Sequence, residues 1–184
     1  MRKRALLVPV LALCSYAATA QKVYSTASQT IQLELTDAIE ITFDATGTNV
    51  GNLVKFSFAN LNQYASGLES AEYKLVIRSN KKFNVMVNAN DPFFTYVGPA
   101  IPAPSMPVSS VLSVKLTQNT TGGSTSSPFI MNQYTAMTDV AQNMLTTCAN
   151  GGNQQLAVKY QANPGYAYPG GTYTVDAIYT ATQL

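Results

Sequence analysis

The feature that most restricts this chain is a period of two in its apolar residues. Ile31, Leu33 and Leu35 alternate with Gln32, Glu34 and Thr36, and Ile39, Ile41 and Phe43 alternate with Glu40 and Thr42. The same rhythm returns in Val54-Phe56-Phe58, Tyr73-Leu75-Ile77, Phe83-Val85-Val87, Leu112-Val114-Leu116 and Leu156-Val158-Tyr160. Successive side chains of an extended strand point to opposite faces, so each run predicts a strand with one face buried and one wet. Ile31 to Phe43 reads as one long strand, or as two in line with a bend near Asp37. The runs at Tyr73 and Phe83, separated by Ser79-Asn80-Lys81, read as a hairpin.

The intervening segments carry turn chemistry. Thr46 to Gly51 predicts a turn, Asn60 to Glu69 and Asn119 to Pro128 predict loops, and Phe93 to Val97 and Phe129 to Tyr134 predict short strands. Pro99, Pro102, Pro104 and Pro107 would interrupt a ladder, so residues 98–107 are expected to cross the surface. Val140, Met144, Leu145 and Cys148 have a spacing that predicts two or three helical turns. From Gln154 the chain runs through the cluster Asn163-Pro164-Gly165 to Pro169-Gly170-Gly171 into Thr172–Thr180. That layout predicts either a β-hairpin or a strand-corner-strand unit. The final strand needs an upstream sheet to bury it. Together these readings predict an all-β fold: an immunoglobulin-like or Greek-key β-sandwich of about eight or nine strands with at most one short helix. Residues 31–184 would form the single domain, preceded by a flexible arm at 21–30.

Residues 1–20 have the three-part layout of a secretory signal peptide. A basic tip, Arg2-Lys3-Arg4, is followed by an apolar run from Ala5 to Leu13 and by small residues ending in Ala18-Thr19-Ala20. The apolar run falls short of the roughly 20 residues that a permanent anchor needs, so no integral membrane span is expected. The predicted location is therefore the periplasm, the cell surface or the extracellular space. Removing the tip from 11 basic residues leaves eight against nine acidic ones, a net charge of −1. No basic field remains for nucleic acid. Cys148 would be the lone cysteine of the exported chain, and its reading is a small buried hydrophobe.

The chain has no histidine. That excludes Ser-His-Asp and Cys-His catalysis and histidine-containing zinc sites. The paired glycines at 122–123, 151–152 and 170–171 lack the Lys-Ser/Thr or βαβ context of a phosphate loop. Glu34 with Glu40 and Glu69 with Glu72 are the nearest approaches to a carboxylate pair, and they read as solvated acids. Asn88, Asn90 and Asp91 read as a turn in preference to a calcium site. No enzyme activity, cofactor or metal is expected. Tyr64, Tyr96, Tyr134, Tyr166 and Tyr168 could pack on strands or offer stacking platforms for sugars, with Tyr166 and Tyr168 the candidate ligand contacts.

The export signal, the alternating Gln32-Leu33-Glu34-Leu35 and the closing Pro169-Gly170-Gly171-Thr172-Tyr173-Thr174 resemble the fimbrial and spore-coat-U-like surface subunits of Gram-negative bacteria. The resemblance implies a structural subunit of a fimbrium or pilus, serving cell adhesion, in which an N-terminal arm of one copy completes the sheet of its neighbour. This chain departs from the pattern in lacking an internal disulfide and in the weak apolar alternation of residues 21–30. The expected function is a non-enzymatic structural or adhesive surface subunit whose partners are copies of itself or related subunits. Ile31, Leu33 and Leu35 are the candidate assembly strand. The competing reading of that segment makes it the first strand of its own domain. The competing function is a monomeric module that binds a surface glycan or polymer.

Overall fold

The computed structural model describes residues 24–44 and 53–184. The predicted signal peptide and the turn expected at 46–51 lie outside the described residues. The chain divides into two units, Met1–Leu35 and Thr36–Leu184. In the first, residues 24–35 have no regular secondary structure and are exposed throughout.

The second unit is an all-β sandwich. Its elements are β1 (Ile39–Phe43), α1 (Leu61–Ser66), β2 (Leu68–Glu69), β3 (Tyr73–Ser79), β4 (Phe83–Ala89), β5 (Thr95–Val97), α2 (Val108–Val111), β6 (Leu112–Asn119), β7 (Ser124–Thr125), β8 (Tyr134–Ala136), β9 (Gln142–Cys148), β10 (Gly151–Ala162), β11 (Thr172–Thr174) and β12 (Ala177–Gln183). One antiparallel sheet has the order β1-β3-β10-β6-β8, with β2 added to β10. A second has the order β12-β4-β9-β7, and β11 pairs with β5 on its own. The core lies between the two large sheets. Leu75, Ile77, Val114, Leu116, Leu156 and Val158 meet Phe83, Val85, Val87, Leu145 and Cys148, and all are buried. Each such side chain contributes on the order of 1.5–3 kcal/mol by leaving water. The period-two rhythm therefore selected the inward residues correctly in β3, β4, β6 and β10.

Several expectations need correction. The runs at Tyr73 and Phe83 are not a hairpin, because β3 pairs with β1 and β10 while β4 pairs with β12 and β9. The connection at Asn80–Lys82 is an arch that carries the chain from one sheet to the other, so both strands turn their apolar faces toward the same core. The closing segment is likewise strand-corner-strand, with β10 in the first sheet and β12 in the second.

The predicted helix at Thr138–Ala149 is the strand β9. Its register against β4 shifts between Phe83 and Val85 and again between Val85 and Met86, so Met144, Leu145 and Cys148 are all buried. Such bulges break the alternation and imitate a helical spacing. Thr147 sits at φ 57 within the irregularity, a conformation costly for a β-branched residue. The Asn84 side chain accepts its N–H at 2.9 Å, replacing a ladder bond.

The strand expected from Ile31 begins only at Ile39. Leu53 to Phe58 keeps its alternation, with Val54 and Phe56 packed on the core, but forms no strand ladder. Among the described residues two short helices occur where at most one was expected. The first, α1, lies in the segment read as a loop and has a capping box: Asn60 accepts the Gln63 N–H at 3.1 Å while the Gln63 side chain accepts the N–H of Asn60.

Candidate assembly and binding surfaces

The first surface is formed by unpaired strand edges. Among the described residues, β1 has a ladder partner only in β3, and β12 only in β4. The two edge strands face each other across the sandwich, where the Phe43 and Tyr179 rings meet edge to face at 6.1 Å. Their inward residues are less well covered than those of the central strands. Ile39 and Phe43 are each 36% exposed, whereas Ile77 and Val85 are fully buried. An edge of this kind presents unpaired N–H and C=O groups that can receive another strand. Deeper in, the Tyr160 and Tyr179 hydroxyls share a 2.7 Å hydrogen bond that links the sheets. Burial pushes the Tyr160 phenol up to about 12 and holds that of Tyr179 well above its usual range.

The candidate assembly residues Ile31, Leu33 and Leu35 are 81%, 80% and 88% exposed and belong to no strand. They form no strand of the unit Thr36–Leu184, whose first strand is β1. The reason is a side-chain clamp at the root of β1. The Asn80 amide donates to the Thr36 carbonyl at 2.8 Å and its oxygen accepts the Ala38 N–H at 3.0 Å. The Gln183 amide reaches the Ala38 carbonyl at 2.8 Å and the Asn80 side-chain oxygen at 3.0 Å. Lys81 pairs with Asp37 at 2.6 Å. Side chains thus occupy the Thr36 carbonyl and the Ala38 N–H, the Ala38 carbonyl also accepts the backbone N–H of Asn80 at 3.2 Å, and the regular β1–β3 ladder ends at the pair Ile39–Ser79.

The second surface gathers four of the five candidate tyrosines, together with Tyr173. Tyr166 stacks on Tyr64 with centroids 6.2 Å apart and planes 20° apart, and Tyr64 packs on Phe58 at 5.2 Å. The Tyr166 hydroxyl donates to the Leu61 carbonyl at 2.9 Å, and its ring is 66% exposed. A second group joins Tyr96 to Tyr173 at 4.9 Å and Tyr173 to Tyr168 at 6.5 Å. Tyr96 donates to the Gly170 carbonyl at 3.1 Å and Tyr173 to the Pro169 carbonyl at 2.8 Å. A Cβ at Gly98 or Gly171 would overlap the Tyr96 ring, so these glycines are required by close approach. Burial, with Tyr96, Tyr168 and Tyr64 nearby, raises the Tyr173 phenol.

Tyr134 lies elsewhere. On the outer face of the first sheet its hydroxyl donates to Glu69 at 2.6 Å, and Lys115 lies 4.4 Å from its ring centroid. Glu69 also accepts Lys159 at 2.7 Å and Lys115 at 3.3 Å. Lys159, then Tyr134 and Lys115, lower its carboxyl to about 2 against the cost of burial. A carboxyl held so firmly ionised is unsuited to act as a general acid near neutral pH. Glu72 accepts the Thr117 hydroxyl at 2.8 Å, and Glu40 pairs with Arg78 at 2.9 Å. Asp91 accepts the Phe93 N–H at 2.9 Å, a turn contact, whereas Asn90 accepts the N–H of Asp176 at 2.9 Å and ties the end of β4 to the start of β12. Cys148 is buried under the Thr121 hydroxyl, 3.1 Å away, and burial raises its thiol.

No protein-family model matches this chain, and no curated protein matches its sequence. No helix among the described residues is long and apolar enough to cross a membrane. Sequence reasoning passed over Phe58 and Tyr173 in the tyrosine end and Asn80 and Gln183 in the clamp. The capping-box pair Asn60 and Gln63 could have flagged the short helix that carries Tyr64. No sequence signal marks a clamp whose members lie some hundred residues apart.

Proposed function

We propose that this chain is an exported, non-enzymatic surface subunit, structural or adhesive, whose copies join by strand pairing in the manner of fimbrial subunits. The observation that carries this reading is the pairing of a supply with a demand. Residues 31–35 form a strand-patterned segment with no ladder of its own, and among the described residues β1 and β12 each leave an edge open. Added to such an edge, Ile31, Leu33 and Leu35 would turn together toward the apolar face, while a slip of one residue would turn them to water. The partner is thus another copy of this chain, or a related subunit with the same edges. The resemblance of the leader and the closing strand to those of exported fimbrial and spore-coat-U-like subunits supports the same reading.

The test compares the chain from Gln21 with one that begins at Thr36. The longer protein is expected to form concentration-dependent oligomers in size-exclusion chromatography and linear assemblies in negative-stain images. The shorter is expected to remain folded and monomeric and to bind a synthetic peptide of residues 21–35. A longer protein that stays monomeric at every concentration, or a shorter one that fails to fold, would overturn the assembly reading.

A further inference from the structure

Three segments meet at the tyrosine end, residues 56–68, 92–114 and 160–175, and none contains Asp, Glu, Lys, Arg or His. Their meeting is direct. Tyr166 bonds and stacks onto the first segment, and Thr172 pairs with Val97 of the second. A surface assembled from three separate stretches with no formal charge gives no electrostatic attraction to an anionic or cationic ligand. It offers aromatic faces. The Tyr166 ring is fixed before any ligand arrives, one face on Tyr64 and its hydroxyl committed to Leu61, with most of its area open to water. The hydroxyls of Tyr96 and Tyr173 are likewise committed to backbone carbonyls. Exposed carboxamides flank the platform: Asn62 follows Leu61, and Asn163 lies against Gly67.

We infer that the tyrosine end is a binding site for a neutral polysaccharide, with one pyranose ring laid on the open face of Tyr166. The apolar C–H face of a pyranose matches an aromatic face, its hydroxyls match side-chain amides, and a neutral sugar needs no counter-charge. Pre-fixing the ring removes part of the ordering cost of binding. This site is independent of strand pairing between copies, so either can fail without the other.

The test is affinity electrophoresis of the full exported chain in native gels containing soluble starch, laminarin, hydroxyethyl cellulose or galactomannan, with alginate as the acidic counterpart. At least one neutral polymer is expected to retard the protein, equally in dilute buffer and at about 0.5 M salt, where exposed charge interactions are screened. Tyr166→Ala should weaken the apparent affinity about tenfold or more, as loss of a central aromatic contact does, while Tyr166→Phe keeps most of it. Tyr134→Ala, on the outer sheet face, should change nothing, and circular dichroism melts confirm that each variant is folded. Retardation by no neutral polymer, retardation by alginate alone, or retardation unaffected by Tyr166→Ala would overturn the inference. So would a Tyr166→Ala variant that loses self-association but never bound a glycan, since the surface would then be an interface between copies.

Discussion

The arm at 24–35 and the tyrosine end both hold apolar side chains out to solvent, yet they are built in opposite ways. Ile31, Leu33 and Leu35 have neither ladder nor packing to fix them, whereas Tyr96, Tyr166 and Tyr173 are each tied by a hydroxyl to a backbone carbonyl. The difference decides what each can recognise. Ordering an arm costs about 1–2 kcal/mol of backbone entropy per residue, which a long ladder with buried side chains can offset, and the partner proposed for it is accordingly another sheet. A fixed aromatic surface has met that cost during folding. It can hold a smaller ligand through a few contacts.

The largest expected effect separates the two regions outright. Leu33→Asp should abolish concentration-dependent assembly, because a charge would then face a neighbour's core, yet shift the thermal midpoint of the monomer hardly at all. A matching drop in monomer stability would show that the arm already packs on its own domain. Next comes Gly171→Ala, whose Cβ meets the Tyr96 ring. It should cost about 1–3 kcal/mol in denaturant unfolding, as overpacking does, with assembly intact. Tyr173→Phe, which removes only the bond to Pro169, should cost about 0.5–1.5 kcal/mol. An unchanged midpoint would mean that the tyrosine end is no more rigid than the arm.

The smallest effect comes from acid. Glu69, lowered to about 2, stabilises the fold fully above its ordinary value of 4.5, and that contribution is lost as pH falls from there through about 2. The carboxylate is partly exposed, so the slope should be shallow. Glu69→Gln should flatten it in an acid titration of stability. Tyr173→Phe should leave it untouched, since the tyrosine end contains no carboxylate.

The two regions also differ in how far they could be read from sequence. Alternation is a local property, so the inward faces of β3, β4, β6 and β10 were legible, whereas the same rhythm in residues 31–35 forms no strand in the structure. Alternation does not say which strand lies beside which. An arch and a hairpin place the same residues inward, and Tyr73–Val87 was accordingly assigned to one sheet instead of two. Nor does it survive a bulge, which is why β9, with Met144 and Leu145 both buried, read as a helix. The grouping of Tyr64, Tyr96, Tyr166 and Tyr168 depends on contacts between distant segments. Composition named its members and left Tyr134 among them, although Glu69 holds that residue on another face.

The clamp at the root of β1 also determines how the domain would carry tension. A pull on the arm enters at Thr36, and the Asn80 amide passes it into the arch between β3 and β4 before any bond of the β1 ladder is loaded. Through Ala38 and Gln183 the same force reaches the last strand of the other sheet, so both layers share the strain. Beyond the clamp, the β1–β3 bonds lie across the pulling direction and would have to shear together instead of opening one at a time. Asn80→Ala should therefore lower the rupture force of the domain in single-molecule stretching from its N-terminus. An unchanged force would place the mechanical resistance wholly in the β1 ladder.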